Sequence, residues 1–472
     1  MNTKIKVKDH FHFIGIGGIG MSGIAIALIK KGYSVSGSDL VLNKETQKLK
    51  ELGAIIFDSQ IKNNIDYVNS KFQNKRLNFV ISSAIKDKNE ELLYCKKKNF
   101  LIKHRSDILA MIMKSYTSLS ISGSHGKTST TTFLSTLLEL CTHDSSSITG
   151  GIIPIYESNA YIENTKFLVT EIDESDGTIN KYRSDIGIIN NIDFDHCDHF
   201  ADINEVLNSF KQFESKSKKL LINYDCEIIR KNFTSIHKWS NKEIKNISYS
   251  IIPDVVNKDN TIGKYYESGN FIDKISIPIP GLHNLSNITA AIAASRMIGI
   301  SFKKIKQNIK FLELPKKRFE LRGVLNERII YDDYAHHPNE IRATIELGRL
   351  FIEDKNNREK QKGRLVAIFQ PHRFTRVKQF INEFAKELSK ADVIYLTNIF
   401  GAGEKQLNNI NSKEIANLIY QLNKNVLNLK DNYEIKENFF KLTNKNDLII
   451  NMGAGDCHNL WSILNTKNIK DN

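Results

Sequence analysis

Short apolar runs of strand length recur along the whole chain, each ending in a polar or glycine-rich turn and followed by apolar residues at helical spacing. In the first stretch, Phe11–Ile14 reads as a strand and Gly15-Ile16-Gly17-Gly18-Ile19-Gly20 as a turn. A helix runs to about Lys31, and a second strand ends at Ser38-Asp39. Strand and helix patterns continue at Ala54–Phe57, Leu77–Ser82, Glu90–Lys98 and Ser106–Met113. A second series opens with the alternating strand Ser118–Ser122 and a helix over Thr131–Leu140. Strands Phe167–Ile172 and Ile186–Ile192 follow, and Pro280-Gly281 leads into an Ala- and Ile-rich helix. A third series begins after Leu314-Pro315. It has strands at Arg328–Tyr331, Leu365–Phe369, Val393–Thr397 and Leu448–Asn451, a helix to about Leu350, and a charged surface loop over Glu353–Lys362. Alternating strands and helices predict α/β architecture with parallel, helix-covered sheets. No short-period repeat links the three series, so they are expected to be separate domains, at 1–116, 117–315 and 316–472. The outer two read as Rossmann-like and the central one as a phosphate-loop, ATPase-like sheet.

Every cluster of candidate chemistry follows a strand, which predicts a ligand edge at the carboxyl ends of the sheets. The most informative is Gly123-Ser124-His125-Gly126-Lys127-Thr128-Ser129, between the strand and the helix of the second series. Backbone N–H groups of such a turn, and the positive end of its helix, point at phosphates. Lys127 would reach the β- and γ-phosphates of a nucleoside triphosphate, and the Thr128 hydroxyl would ligate Mg²⁺. The loop is shorter than the usual eight-residue pattern, because Ile121 stands where its first glycine would be. Glu171-Ile172-Asp173-Glu174 and Asn191-Ile192-Asp193-Phe194-Asp195-His196 offer hard oxygen donors and a histidine beside it. Gly15, Gly17 and Gly20 permit close approach to a diphosphate, and Asp39 sits where a ribose hydroxyl is often met. Ser83 follows a strand, as a ligand contact or a plain turn. His283 and the asparagines beside it either cap their helix or read a base. Arg373 and Arg376 suit a carboxylate or phosphate.

Composition narrows the class further. At 472 residues and 40% hydrophobic, the chain is an ordinary globular protein of several domains. No apolar run approaches the roughly 18–20 residues that span a bilayer, and the first residues lack a signal-peptide pattern. Membrane insertion is therefore not expected. The net charge of +14 is spread through every segment, which favours an anionic, phosphate-rich substrate over nucleic acid. Five cysteines without a Cys-x-x-Cys pair predict free thiols in a reducing cytoplasm and no zinc site.

Read together and in order, these motifs resemble the Mur ligase family nearly end to end. The resemblance includes Gly15–Gly23, Gly123–Thr128, Glu171–Asp176, Asn191–His196, Pro280–Asn284, Asp332-Asp333-Tyr334-Ala335-His336-His337-Pro338 and Phe369-Gln370-Pro371-His372-Arg373. Within the family the motifs are most similar to the branch that adds L-alanine to UDP-N-acetylmuramate in peptidoglycan precursor synthesis. The resemblance implies a cytoplasmic, ATP- and Mg²⁺-dependent amide ligase with two metal positions, working as a monomer or homodimer. It assigns the UDP-sugar to Gly15, Gly17, Gly18, Gly20, Ser22, Asp39 and Ser83. It assigns ATP to Gly123, Ser124, His125, Gly126, Lys127, Thr128, Ser129, His283, Asn287, Arg318 and Asp333. Thr128, Glu171 and His196 become metal ligands, and Tyr334, His336, Arg373 and Arg376 form the alanine end. Lys127, His336, Arg373 and Arg376 are the implied catalytic set. Two other readings compete: a recycling ligase that attaches a preformed tripeptide to the same UDP-sugar, and a nicotinamide-dependent dehydrogenase suggested by Gly15–Gly20 and Asp39. The second phosphate loop and the paired acidic clusters argue against the dehydrogenase.

Overall fold

The structure, a computed structural model, describes residues 8–175, 177–195, 199–358 and 362–465. Among them the chain forms three sheets. The first contains β1 (Asp9–Ile14), β2 (Ser34–Ser38), β3 (Ile55–Phe57), β4 (Arg76–Ile81) and β5 (Ile102–His104), in the order β3-β2-β1-β4-β5. All its pairings are parallel. The helix Ile19–Lys30 leaves the glycine turn and buries Ile24, Ile26 and Leu28. It is apolar nearly all round because the central domain covers its outer face. Asn159 of that domain donates its amide to the Ile19 carbonyl at 2.6 Å and to the Ser22 hydroxyl at 2.9 Å.

The second sheet contains β6 (Thr117–Ser122), β7 (Ser145–Ile153), β8 (Ser158–Tyr161), β9 (Phe167–Glu171) and β10 (Ser184–Ile189). It continues with β11 (Ser217–Asn223), β12 (His237–Ser240), β13 (Tyr249–Val256), β14 (Thr261–Glu267) and β15 (Asn270–Ile277). Its order is β15-β14-β13-β12-β11-β10-β6-β9-β7-β8. Parallel pairing runs from β13 to β7, with β6 between β10 and β9, so the acidic turns after those two strands flank the phosphate loop. The wholly parallel sheet expected from the alternation is found only in this middle. β7–β8, β13–β14 and β14–β15 are antiparallel. A two-residue turn with positive φ at Ser268 and Gly269 closes the last hairpin, a geometry that matches strand twist.

The third sheet contains β16 (Glu320–Leu325), β17 (Arg328–Asp333), β18 (Leu365–Phe369), β19 (Val393–Leu396), β20 (Val426–Asn428) and β21 (Leu448–Met452). Its order is β16-β17-β21-β18-β19-β20, parallel except for the β16–β17 hairpin. The helix Pro338–Arg358 continues through part of the segment expected to be a loop from Glu353. Ile341, Ile345 and Ile352 are buried along it, so one apolar stripe carries the charged turn with it.

Candidate functional site

The phosphate loop is shaped by two glycines that no other residue replaces freely. Gly126 has φ +77°, and the helix starts immediately after it, at Lys127 rather than at the expected Thr131. The first-turn N–H groups therefore point back into the loop. A Cβ on Gly126 would meet the Asn287 side-chain oxygen at 2.5 Å, and one on Gly123 would meet Asn190 at 3.0 Å. Gly126→Ala is expected to cost about 1–2 kcal/mol in backbone strain and to push Asn287 off the loop. A lowered Tm together with weakened ATP binding by calorimetry checks this.

Lys127 is folded onto its own loop. Its Nζ donates to the Gly123 carbonyl at 2.6 Å and to the Glu174 carboxylate at 2.9 Å. Burial works against its charge, but Glu174 and Asp173 outweigh burial and raise the pKa, so the ammonium stays charged. The Thr128 and Thr149 hydroxyls both donate to Glu171 Oε2 at 2.9 Å. The carboxylate lies in a cradle that a Cβ on Gly150 would fill, meeting Oε1 at 2.6 Å. A hydroxyl and a carboxylate at a loop for phosphates are the hard donors Mg²⁺ prefers, so these residues fit that ion. His196, the expected ligand for a second metal, lies outside the described residues.

The third domain closes over this loop. His125 Nδ1 lies 3.4 Å from Glu340 and its Nε2 3.4 Å from Asp193. Burial alone would lower its pKa, yet hydrogen bonds and charge from Asp193 and Glu340 push it up to about 9. Glu340 and Asp193 are correspondingly held low. A raised histidine pKa stabilises fully below the unfolded value near 6.5 and loses its contribution as pH rises through about 9. The Tm advantage of the wild type over His125→Gln should therefore be full at pH 6 and fade as pH passes 9. An advantage that does not change with pH would contradict this.

The other expected residues divide. Arg318 lies against Glu340 at 3.8 Å and over the Tyr334 ring at 5.3 Å, so it does reach the loop's surroundings. His336 Nδ1 is 2.8 Å from the Tyr334 carbonyl, so this nitrogen carries the proton and Nε2 is left as an acceptor. Burial, with Arg376 nearby, lowers its pKa to about 4 and keeps the ring neutral. Arg376 and Arg373 differ sharply. Arg376 is buried and donates Nε and Nη2 to Asp195 of the central domain at 3.0 and 2.8 Å. Arg373 is half-buried near Glu404, with φ +68° at the start of the helix Phe374–Leu388. Such a φ in a non-glycine residue is backbone strain of the kind found at working sites. Asp333 is buried and accepts from the N–H of Phe319 and of Ala335 and from the Thr344 hydroxyl, bracing the Arg318 segment. Asn284 donates to the Pro280 carbonyl, and no side chain caps the helix Leu282–Met297, whose N-cap is Gly281; His283 is exposed.

At the glycine turn of the first domain, the Asp39 carboxylate accepts from Gly17 N–H at 2.8 Å and Val41 N–H at 3.2 Å. Gly15 has φ +81°, Gly18 is exposed, and a Cβ on Gly20 would lie 3.4 Å from the Arg105 guanidinium. Ser83 is exposed, 3.2 Å from His104 Nε2. Ser22 does not face this cleft. It is buried against Asn159 in the seam between domains. Ser124 donates to the Asp193 carbonyl, and Ser129 is buried in the first turn of its helix. Sequence reasoning missed Thr149, Asn159, Asn339 and Glu340, and it read Asp195 as an oxygen donor rather than as the partner of Arg376. Of these only Glu340 carried a local signal, an acid in a first helical turn four residues after His336.

Three family models match in order: the Mur ligase family catalytic domain over residues 10–117, the Mur ligase middle domain over 121–295, and the Mur ligase glutamate ligase domain over 317–455. A protein from Prochlorococcus marinus subsp. pastoris named UDP-N-acetylmuramate–L-alanine ligase is 76% identical over 473 residues, covering 100% of both chains. The crystal structure of UDP-N-acetylmuramate–alanine ligase from Thermotoga maritima superimposes with a TM-score of 0.80 at 22% identity, covering 96% of this chain and 98% of that one. The MurF ligase of Thermotoga maritima, solved in complex with ADP, matches with a TM-score of 0.61 at 16% identity, covering 91% and 94%. With its three domain models in register and full-length identity of this order, the chain belongs to the Mur ligase family.

Proposed function

We propose that the chain joins L-alanine to the lactyl carboxylate of UDP-N-acetylmuramate, using ATP and releasing ADP and phosphate. The observation that carries this reading is the 76% identity, over the whole of both chains, with a protein of that name. A carboxylate is a poor electrophile. Transfer of the γ-phosphoryl group makes an acyl phosphate, and attack by the alanine amine then expels phosphate through a tetrahedral intermediate. ATP phosphates rest on Gly123–Ser129, with Asn287 and His283 toward the base. Asp39, Ser83 and the Gly15–Gly20 turn hold the UDP-sugar. Lys127 leaves Glu174 for the phosphates, and Arg318 offsets charge on the transferring group, so both act chiefly by position and electrostatics. Thr128 and Glu171 would hold Mg²⁺, which supplies neutralisation of phosphate charge, and His196 would serve a second ion.

Arg373 pairs the alanine carboxylate, while Arg376, gripped by Asp195, fixes the helix that carries Arg373. His336 offers Nε2 as an acceptor for an amine N–H. With a pKa near 4 it orients the amine rather than storing its proton. Closure of the three domains keeps water from the acyl phosphate. The reading extends to a cytoplasmic enzyme. Among the described residues no helix is long and apolar enough to cross a membrane. Phosphate release with UDP-N-acetylmuramate, ATP and a panel of amino acids and the recycled tripeptide tests it. Release with alanine well above the rest is expected, and preference for the tripeptide would overturn it.

A further inference from the structure

His125, Asp193 and His337 converge where the third domain meets the phosphate loop, each offering a ligand atom within 4.8 Å of the others. His125 Nε2 and Asp193 Oδ2 are 3.4 Å apart, the edge expected of a tetrahedral site with bonds of about 2.0–2.1 Å. The two imidazole centroids are 4.6 Å apart. His337 is 2% exposed, and among the described residues its Nε2 has no hydrogen-bond partner. The surrounding groups already have the arrangement that orients metal ligands. Glu340 lies 3.4 Å from His125 Nδ1, which orients the ring with Nε2 toward Asp193. Asn339 donates its amide to Asp193 Oδ2 and fixes that carboxylate.

We propose that His125, Asp193 and His337 form an inhibitory site for a zinc-class divalent cation, separate from the Thr128–Glu171 magnesium position. Two imidazoles and one carboxylate select Zn²⁺ or Co²⁺ over Mg²⁺, which prefers oxygen. Binding replaces the contact between His125 Nε2 and Asp193 Oδ2 with a bond from each to the ion. The cysteines alone gave no reason to expect zinc, and this site uses none of them. Two ligands belong to the central domain and one to the third, so the ion bolts the phosphate loop shut. That is why occupancy inhibits.

The test uses the full, metal-stripped chain in Mg²⁺ buffer without substrates, titrated with Co²⁺. One equivalent is expected, with the visible band of a tetrahedral site. His337→Gln should lose the band and weaken Co²⁺ binding about tenfold or more. His337→Cys should keep one equivalent and add a thiolate-to-cobalt charge-transfer band, which decides the matter should the glutamine variant fail to fold. Zn²⁺ should inhibit turnover in excess Mg²⁺, reversibly with chelator. A wild type without the band, an unchanged band in the glutamine variant, or a cysteine variant lacking charge transfer would overturn the site. None of the cobalt readouts depends on which amino acid is ligated, so this proposal and the ligase reading fail separately.

Discussion

Replacing Lys127 with alanine is expected to lower turnover by about 10²–10³-fold or more, the cost of removing one preorganised positive group from a charge-developing centre. The same substitution leaves Glu174, 1% exposed, without its ammonium. Breaking such a buried pair costs about 3–5 kcal/mol, so stability falls too, and the two effects must be separated. The glycine turn of the first domain lies on a different sheet from Lys127, so UDP-sugar binding should survive in folded protein. Adding Glu174→Gln should recover Tm without recovering rate. Single-turnover rates and UDP-sugar affinity measured on both variants check this. A variant that turns over near the wild-type rate would remove Lys127 from the mechanism.

The two arginines of the third domain should behave oppositely. Arg376→Ala takes the guanidinium from Asp195 across a buried domain seam, both side chains being 5% exposed. A loss of up to about 3–5 kcal/mol is expected, read as a lower Tm and denaturation midpoint. Arg373→Ala should lower Tm less than Arg376→Ala, because its contact with Glu404 is partly exposed and 3.6 Å long. Its effect should appear in the KM for alanine, raised by about tenfold or more from the loss of a charge-assisted pair, with little change for ATP. Equal effects of Arg373→Ala on both substrates would argue against an alanine-carboxylate role. The sequence treats the two residues as a pair; the structure separates a brace from a candidate ligand.

That contrast describes what was legible in the chain. Strands such as Thr117–Ser122 and Leu365–Phe369 announce themselves because fully buried parallel strands are runs of apolar or small residues. The glycine turns were legible because positive φ and close packing leave few alternatives, as at Gly126. The edge hairpins were not, since Ser268-Gly269 and Asn326-Glu327 are single two-residue turns within otherwise unremarkable polar stretches. The least legible features were pairs distant in sequence: Arg376 with Asp195, His125 with Glu340, and Asn159 with Ser22. Each joins two domains, and domain docking leaves no local periodicity. Ser22 shows the consequence. Its neighbours in the motif suggested a ligand contact, whereas docking of the central domain buries it.

Phosphoryl transfer to the sugar's carboxylate must precede amide formation in this mechanism. The direct measurement is a reaction of the purified chain with UDP-N-acetylmuramate carrying ¹⁸O in its lactyl carboxylate, with ATP, Mg²⁺ and L-alanine. One labelled oxygen should appear in inorganic phosphate for each amide formed. Phosphate that carries no label, or ADP formed without the sugar, would contradict it.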